Sequence, residues 1–312
     1  TPCLILELDA FERNLQRLPA SLHGRNIRLR PHAKSHKCPE IALRQIALGA
    51  AGICVQKVSE AAALVAGGVK DVLIANEIVG APKLKLLAEL NARARVAVCA
   101  DNADNVAALD AAARAAGIRL DVLVEIDVGA NRCGVEPGAP AVALAGRIAA
   151  CGNLRFAGLQ AYHGSAQHVR KVGERRDAIA RAVEHVRMTT RLLGVAGIQC
   201  DYVTGAGTGS YMFEAASSVY HELQAGSYIF MDADYAQNEW TESGIPQFEH
   251  SLFVWTTVMS TPAPGRAVVD AGLKASSVDS GMPRVADYDD VACVKMSDEH
   301  GVLQLSGATR FK

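Results

Sequence analysis

From residue 27 to about 230, short β-branched apolar runs alternate with longer Ala/Leu-rich stretches of helical period. The runs are "IRLRPHAK", "GAAGICVQ", "DVLIANE", "ARVAVCAD", "LDVLVEID", "RFAGLQAYH", "CDYVTGAG" and "ELQAGSYIF". Between them lie "CPEIALRQIALG", "VSEAAALVAGG", "PKLKLLAELN", "NADNVAALDAAARAAG" and "RKVGERRDAIARAVEHVRMTTRLLG", several closing on the glycine that suits a helix C-terminus. Such alternation predicts a parallel α/β sheet. A doubly wound open sheet has similar local patterns, but eight strand–helix units in about 200 residues favour a (β/α)8 TIM barrel.

Polar residues gather at one place in each unit. Lys34, Gln56, Asn76 with Glu77, Asp101, Asp127 with Arg132, Tyr162 with His163, and Thr204 to Ser210 all follow a strand's apolar run. In a barrel those positions form the C-terminal mouth, where the chemistry sits. Beyond residue 245 the helical period stops, and "SLFVWTTVMST", "RAVVDAGLKASSV", "DVACVKMSDE" and "GVLQLSG" read as strands between Pro and Gly turns. The expected organisation is a barrel over 9–245 and a smaller β-rich domain over 246–312, joined by an N-terminal strand over 1–8.

Composition narrows the function. The 312 residues are 50% hydrophobic, enough for a large core, and 32 Lys plus Arg against 33 Asp plus Glu leave a net charge of -1. That balance argues against a nucleic-acid or membrane-surface partner. No apolar run approaches the ~20 residues of a bilayer span, which predicts a soluble protein. Eight scattered cysteines form no zinc or redox spacing and predict free thiols in a reducing cytoplasm.

Three stretches carry candidate chemistry. "RLRPHAKSHK" holds six basic or imidazole side chains in ten positions, with Pro31 and Pro39 preventing a regular helix. A desolvated Lys34 has a lowered pKa and forms a Schiff base with a carbonyl; a surface lysine beside His32 and His36 is the plainer alternative. "TGAGTGS", residues 204 to 210, is a glycine turn after the seventh strand, where barrels bind phosphate; a simple tight turn has the same composition. In "EIDVGANRCG", Arg132 is either an exposed loop residue or a cation facing an anionic oxygen. Tyr162 and His163 in "AYHG" stand at the mouth, as packing or as chemistry.

Together these pieces resemble the alanine-racemase-type (fold type III) enzymes that use pyridoxal 5'-phosphate. "RPHAKSHKCPEIALRQ", "QKVSEA", "VEIDVGANRCGV", "GLQAYHGSAQH", "TGAGTGS", "ELQAGSYIFMDADY", "TVMSTPAPGRAVVDAGLKA" and "SDEHGV" are similar to D-threonine aldolases, D-3-hydroxyaspartate aldolases and eukaryotic-type D-serine dehydratases. The resemblance implies that Lys34 bonds the cofactor and Arg132 faces its phenolic oxygen. It places Tyr162 beside the ring, Gly207, Thr208, Gly209, Ser227 and Tyr228 in the phosphate cup, and Gln56 and Asn76 in further ring contacts. The implied reaction is retro-aldol cleavage of D-threonine and related D-3-hydroxy-amino acids to glycine and an aldehyde. The alternatives are 3-hydroxyaspartate cleavage, dehydration to a keto acid and ammonia, or cofactor binding without catalysis, as in small pyridoxal-phosphate homeostasis proteins. A homodimer is implied by analogy.

The resemblance also implies a divalent metal, Mn or Mg for an aldolase and Zn for a dehydratase, held by a His-x-Asp or His-x-Cys pair near the C-terminus. The sequence ends at "SGATRFK" without that pair and begins at Thr1, so terminal residues beyond those given are expected; the alternative is an activity that does not depend on metal. His163, His168 and His300 are candidates by residue type alone, and the ligands stay unassigned.

Overall fold

In a computed structural model of the protein, describing residues 1–240 and 248–311, the first half runs β1 (Cys3–Leu6), α1 (Leu8–Ser21), β2 (Arg28–Leu29), α2 (Pro39–Ala47), β3 (Ile53–Val55), α3 (Val58–Ala66), β4 (Asp71–Glu77), α4 (Ala81–Asn91), β5 (Arg95–Ala100), α5 (Ala103–Ala116) and β6 (Leu120–Glu125). It continues through α6 (Ala139–Ala150), β7 (Leu154–Ala161), α7 (Val172–Val195), β8 (Tyr202–Gly205), α8 (Tyr211–Ala216), β9 (Glu222–Leu223), β10 (Leu252–Trp255), β11 (Val258–Ala263), β12 (Arg266–Val269), β13 (Val291–Met296) and β14 (Gly301–Leu305).

The described residues divide into two compact units. One holds Leu15–Tyr228 with the stretch that begins at Asn238. Its eight strands are parallel, in the order β2-β9-β8-β7-β6-β5-β4-β3. Backbone bonds from Ala51 N to Leu29 O (2.8 Å) and from Cys54 N to Pro31 O (2.8 Å) join the two ends, so the sheet closes into a barrel. Alternation sorts the side chains. Ile53, Val55, Val72, Ile74, Val96, Val98, Val122 and Val124 face the helices. Cys54, Leu73, Ala75, Ala97, Cys99, Leu123, Ala157 and Tyr202 form the inner cluster, mostly small side chains suited to a narrow interior.

Charges at the opposite end from the mouth are balanced and structural. Buried Arg30 bonds Glu222 (2.9 Å) and Asp71 (2.6 Å), while Arg95 and Arg155 share Asp121 at 3.1 and 2.6 Å. Helix starts are capped: the Asn102 side chain ahead of α5 accepts from Asn105 N (2.8 Å), and the Glu60 carboxylate in the first turn of α3 reaches back to accept from Gln56 N (2.9 Å) and Lys57 N (3.2 Å).

The other unit holds Thr1–Asn14, Ile229–Gln237 and the described residues from Phe248 onward. β1 pairs antiparallel with β10 (Cys3 opposite Trp255), and β11-β12-β14-β13 form an antiparallel sheet over Ala267, Val269, Val291 and Leu303. The strand expected over 1–8 stops at Leu6, because the Glu7 carboxylate accepts from Ala10 N (2.6 Å) and starts α1. The boundary expected between 245 and 246 lies outside the described residues. Among the described residues, no helix is long and apolar enough to cross a membrane.

Candidate active site

Lys34 stands in a single 3-10 turn, Ala33–Ser35, just past β2 at the mouth end. His32 holds that turn. Its Nδ1 accepts from Lys34 N (3.2 Å), which leaves the proton on Nε2 to donate to Gln56 Oε1 (3.4 Å). Burial, reinforced by the nearby Lys34 charge, depresses His32 to about 3, so the ring stays neutral. The Ser35 hydroxyl ties the turn to Gly226 O (3.2 Å) on the loop after β9. Gly226 is required by contact alone, since a Cβ there would meet His32 O at 2.5 Å.

The Lys34 side chain reaches solvent through the mouth, yet enough protein surrounds its ammonium to lower its pKa, with Arg132 adding to the effect. Both cations lie over one ring: Lys34 Nζ is 5.9 Å and Arg132 Cζ 5.7 Å from the Tyr162 centroid. Burial pushes the Tyr162 phenol up to about 12, so it remains protonated. Asn76 donates to Gln56 O (3.2 Å), linking the loops after β3 and β4 to the same pocket.

Opposite, the turn after β8 is buried. Gly209 N donates to Gln167 Oε1 (3.0 Å), and Gly207 is packed so closely on Gln167 that a Cβ would lie 2.5 Å from that oxygen. Thr208 Oγ1 is buried with no hydrogen-bond partner among the described residues. Ser227 opens a 3-10 turn, while Tyr228 is buried and its hydroxyl accepts from Gln45 Nε2 (3.0 Å).

Sequence reading missed a carboxyl pair beneath Arg132. Glu125, 4% exposed at the end of β6, lies 3.9 Å from Arg132 Nη2 and beside Glu77. Burial and the Glu77 charge push it up to about 8, and burial with Asp101 raises Glu77 too. The pair keeps a proton because two buried carboxylates in contact cannot both ionise. Its strand position made Glu125 look like part of an apolar run.

The family described as "Alanine racemase, N-terminal domain" matches residues 6–234. The chain belongs to the alanine racemase type. A second match, "Putative serine dehydratase domain", covers residues 251–312. Among alanine-racemase-type relatives, D-threonine aldolase of Arthrobacter sp is 51% identical over 98% of this chain and 80% of its own length. The 3-hydroxy-D-aspartate aldolase of Paracoccus denitrificans (strain Pd 1222) is 46% identical over 97% of this chain and 80% of its own. The crystal structure of D-threonine aldolase from Filomicrobium marinum superposes with a TM-score of 0.94 at 54% identity, covering 98% of this chain and 82% of that one.

The alanine-racemase-type family implies pyridoxal 5'-phosphate, and the residues fit it. Thr208 Oγ1 is an unmatched buried group in a glycine-walled cup, and Lys34 is an amine with a lowered pKa at the facing loop. For a metal the fit is poorer. Among the described residues one group, Glu77, Asp101 and Cys133, brings three donor atoms within 4.8 Å of one another, and His163, His168 and His300 belong to no such group.

Proposed function

We propose that the protein cleaves D-threonine and related D-3-hydroxy-amino acids to glycine and an aldehyde, with pyridoxal 5'-phosphate held at Lys34. The observation that carries the reading is the convergence of Lys34 and Arg132 on the Tyr162 ring, facing a cup with an unpartnered buried hydroxyl at Thr208. The names of the similar aldolases support the choice of reaction.

Pyridoxal 5'-phosphate supplies an electron sink that weakens the bonds at the substrate's Cα. The chain's residues do the rest. Lys34, with its lowered pKa, is the amine that bonds the cofactor and stands ready to carry a proton. Neutral His32 fixes the Lys34 turn without adding positive charge. Arg132, 3.9 Å from Glu125, would face the ring's phenolic oxygen, and Tyr162 would lie alongside the ring as a phenol. Gln56 and Asn76 would hold the ring's edge, and Gly207, Thr208, Gly209, Ser227 and Tyr228 would enclose the phosphate. Cleavage removes the β-hydroxyl proton, breaks Cα–Cβ and returns a proton to Cα, leaving glycine.

A divalent metal, Mn or Mg as the resemblance implies, would polarise the β-hydroxyl, and no described residue is assigned as its ligand. We read the protein as a cytoplasmic homodimer. Eight free cysteines suit a reducing compartment, and exposed Leu4, Leu6 and Trp255 on the two-stranded sheet suit a subunit contact.

The test is product analysis with pyridoxal 5'-phosphate, manganese and D-threonine. Glycine plus acetaldehyde, lost on chelation, is expected; 2-oxobutyrate plus ammonia would make the protein a dehydratase and refute the proposal. Running D-3-hydroxyaspartate in parallel measures side-chain preference.

A further inference from the structure

Behind the glycine cup a buried carboxyl takes no part in the chemistry above. Glu214, on α8, is 1% exposed. Its Oε1 accepts from Ser210 Oγ (2.8 Å), Ser210 Oγ accepts from Gln167 Nε2 (2.7 Å), and Gln167 Oε1 accepts from Gly209 N (3.0 Å). Gln167 Nε2 also donates to His163 O (3.1 Å). Three consecutive hydrogen bonds thus run from the Glu214 carboxyl to a backbone N–H of the cup, through side chains that are themselves fully buried.

The other carboxyl oxygen, Oε2, is buried and has no partner among the described residues. Among the described residues no cation offsets it. Tyr162 from the end of β7 and Tyr220 ahead of β9 feel its charge, and Tyr220 donates its own proton to Ala161 O (2.9 Å). From α7, Arg187 reaches only Ser217 O (3.1 Å), past the far end of the helix, and pairs with Glu184 (2.7 Å). On α8 itself the remaining ionisable group is Tyr211, which interacts with Ser21 and Arg17. A carboxylate so placed is costly to ionise, and burial raises Glu214 to about 7.

We propose that Glu214 makes the cup's affinity for a phosphate ester depend on a buried proton. The inference rests on the cofactor reading above. A phosphate dianion and an ionised Glu214 would share one dry region, so the dianion binds better while the carboxyl is neutral. By linkage, binding takes up a proton and affinity falls as pH rises through the Glu214 titration. Glu214 is a positioning residue: it acts through Ser210 and Gln167 and touches no reacting atom.

The test measures the dissociation constant of pyridoxal 5'-phosphate from apoprotein between pH 6 and 8.5, in wild type and in Glu214→Gln, beside pyridoxal, which lacks the phosphate. The wild type is expected to lose about tenfold more affinity for the phosphorylated cofactor than the variant over that range. For pyridoxal the excess should vanish. Parallel profiles in wild type and variant would overturn the proposal, as would an equal excess for pyridoxal. The wild-type comparison of the two ligands stands alone if Glu214→Gln folds poorly. Failure to bind pyridoxal 5'-phosphate at any pH would refute the cofactor reading itself, a result distinct from binding that ignores pH.

Discussion

Replacing Glu125 by glutamine should change how the fold responds to pH. Glu125 is 4% exposed, pressed against Glu77, and raised from the ordinary 4.5 to about 8. An acid held above its unfolded-state pKa stabilises the folded protein while protonated. That contribution is complete below the ordinary value and is lost as pH rises toward about 8. Each pH unit in between removes about 1.4 kcal/mol for one linked proton. From pH 5.5 to 7.5 the loss is therefore about 3 kcal/mol, a large share of a typical domain's stability. Glutamine keeps the shape, cannot ionise, and offers Glu77 an N–H in place of a second charge. Urea unfolding of apoprotein, followed by far-UV circular dichroism at several pH values, should show the variant gaining on the wild type by about that amount. Parallel stability profiles over this window would show that Glu125 titrates near its ordinary value, and the shared-proton account would be wrong.

Two further outcomes separate the site from its scaffold. Lys34→Ala should abolish both the near-visible absorbance of bound cofactor and the lyase activity; retained activity would remove Lys34 from the reaction. Glu222→Ala strips buried Arg30 and exposed Arg28 of a carboxylate and should cost about 3–5 kcal/mol of unfolding free energy at neutral pH, read from the urea midpoint. A loss under about 1 kcal/mol would mean that Asp71 alone satisfies Arg30.

The barrel was legible because its strands are nearly continuous apolar runs ended by polar residues, and burial on both faces demands that composition. Lys34, Arg132 and the glycine turn were legible because each breaks its local pattern. Glu125 was not: it follows Val122, Leu123 and Val124, and only the closed sheet shows that it faces Glu77. Nor could spacing reveal Gln167, which sits in a short turn after β7 and reaches the loop after β8. The contacts that matter there link residues some forty positions apart. At the other extreme, the N-terminal strand expected over 1–8 stops at Leu6, because the Glu7 cap starts a helix.

The ring of staves is uneven. β2 has two residues in register with β9, and on its other edge two backbone bonds cross to the β3 segment. Wood bends where it is thinnest. A cofactor held at Lys34 would have to pass from the lysine amine to the substrate's own amine and back, and the Lys34 turn is mounted beside a stave of only two residues. The longer staves, β4 to β7, carry the carboxyl pair and the Arg132 loop, so the amine and the groups that face it are mounted on staves of unequal length in one barrel.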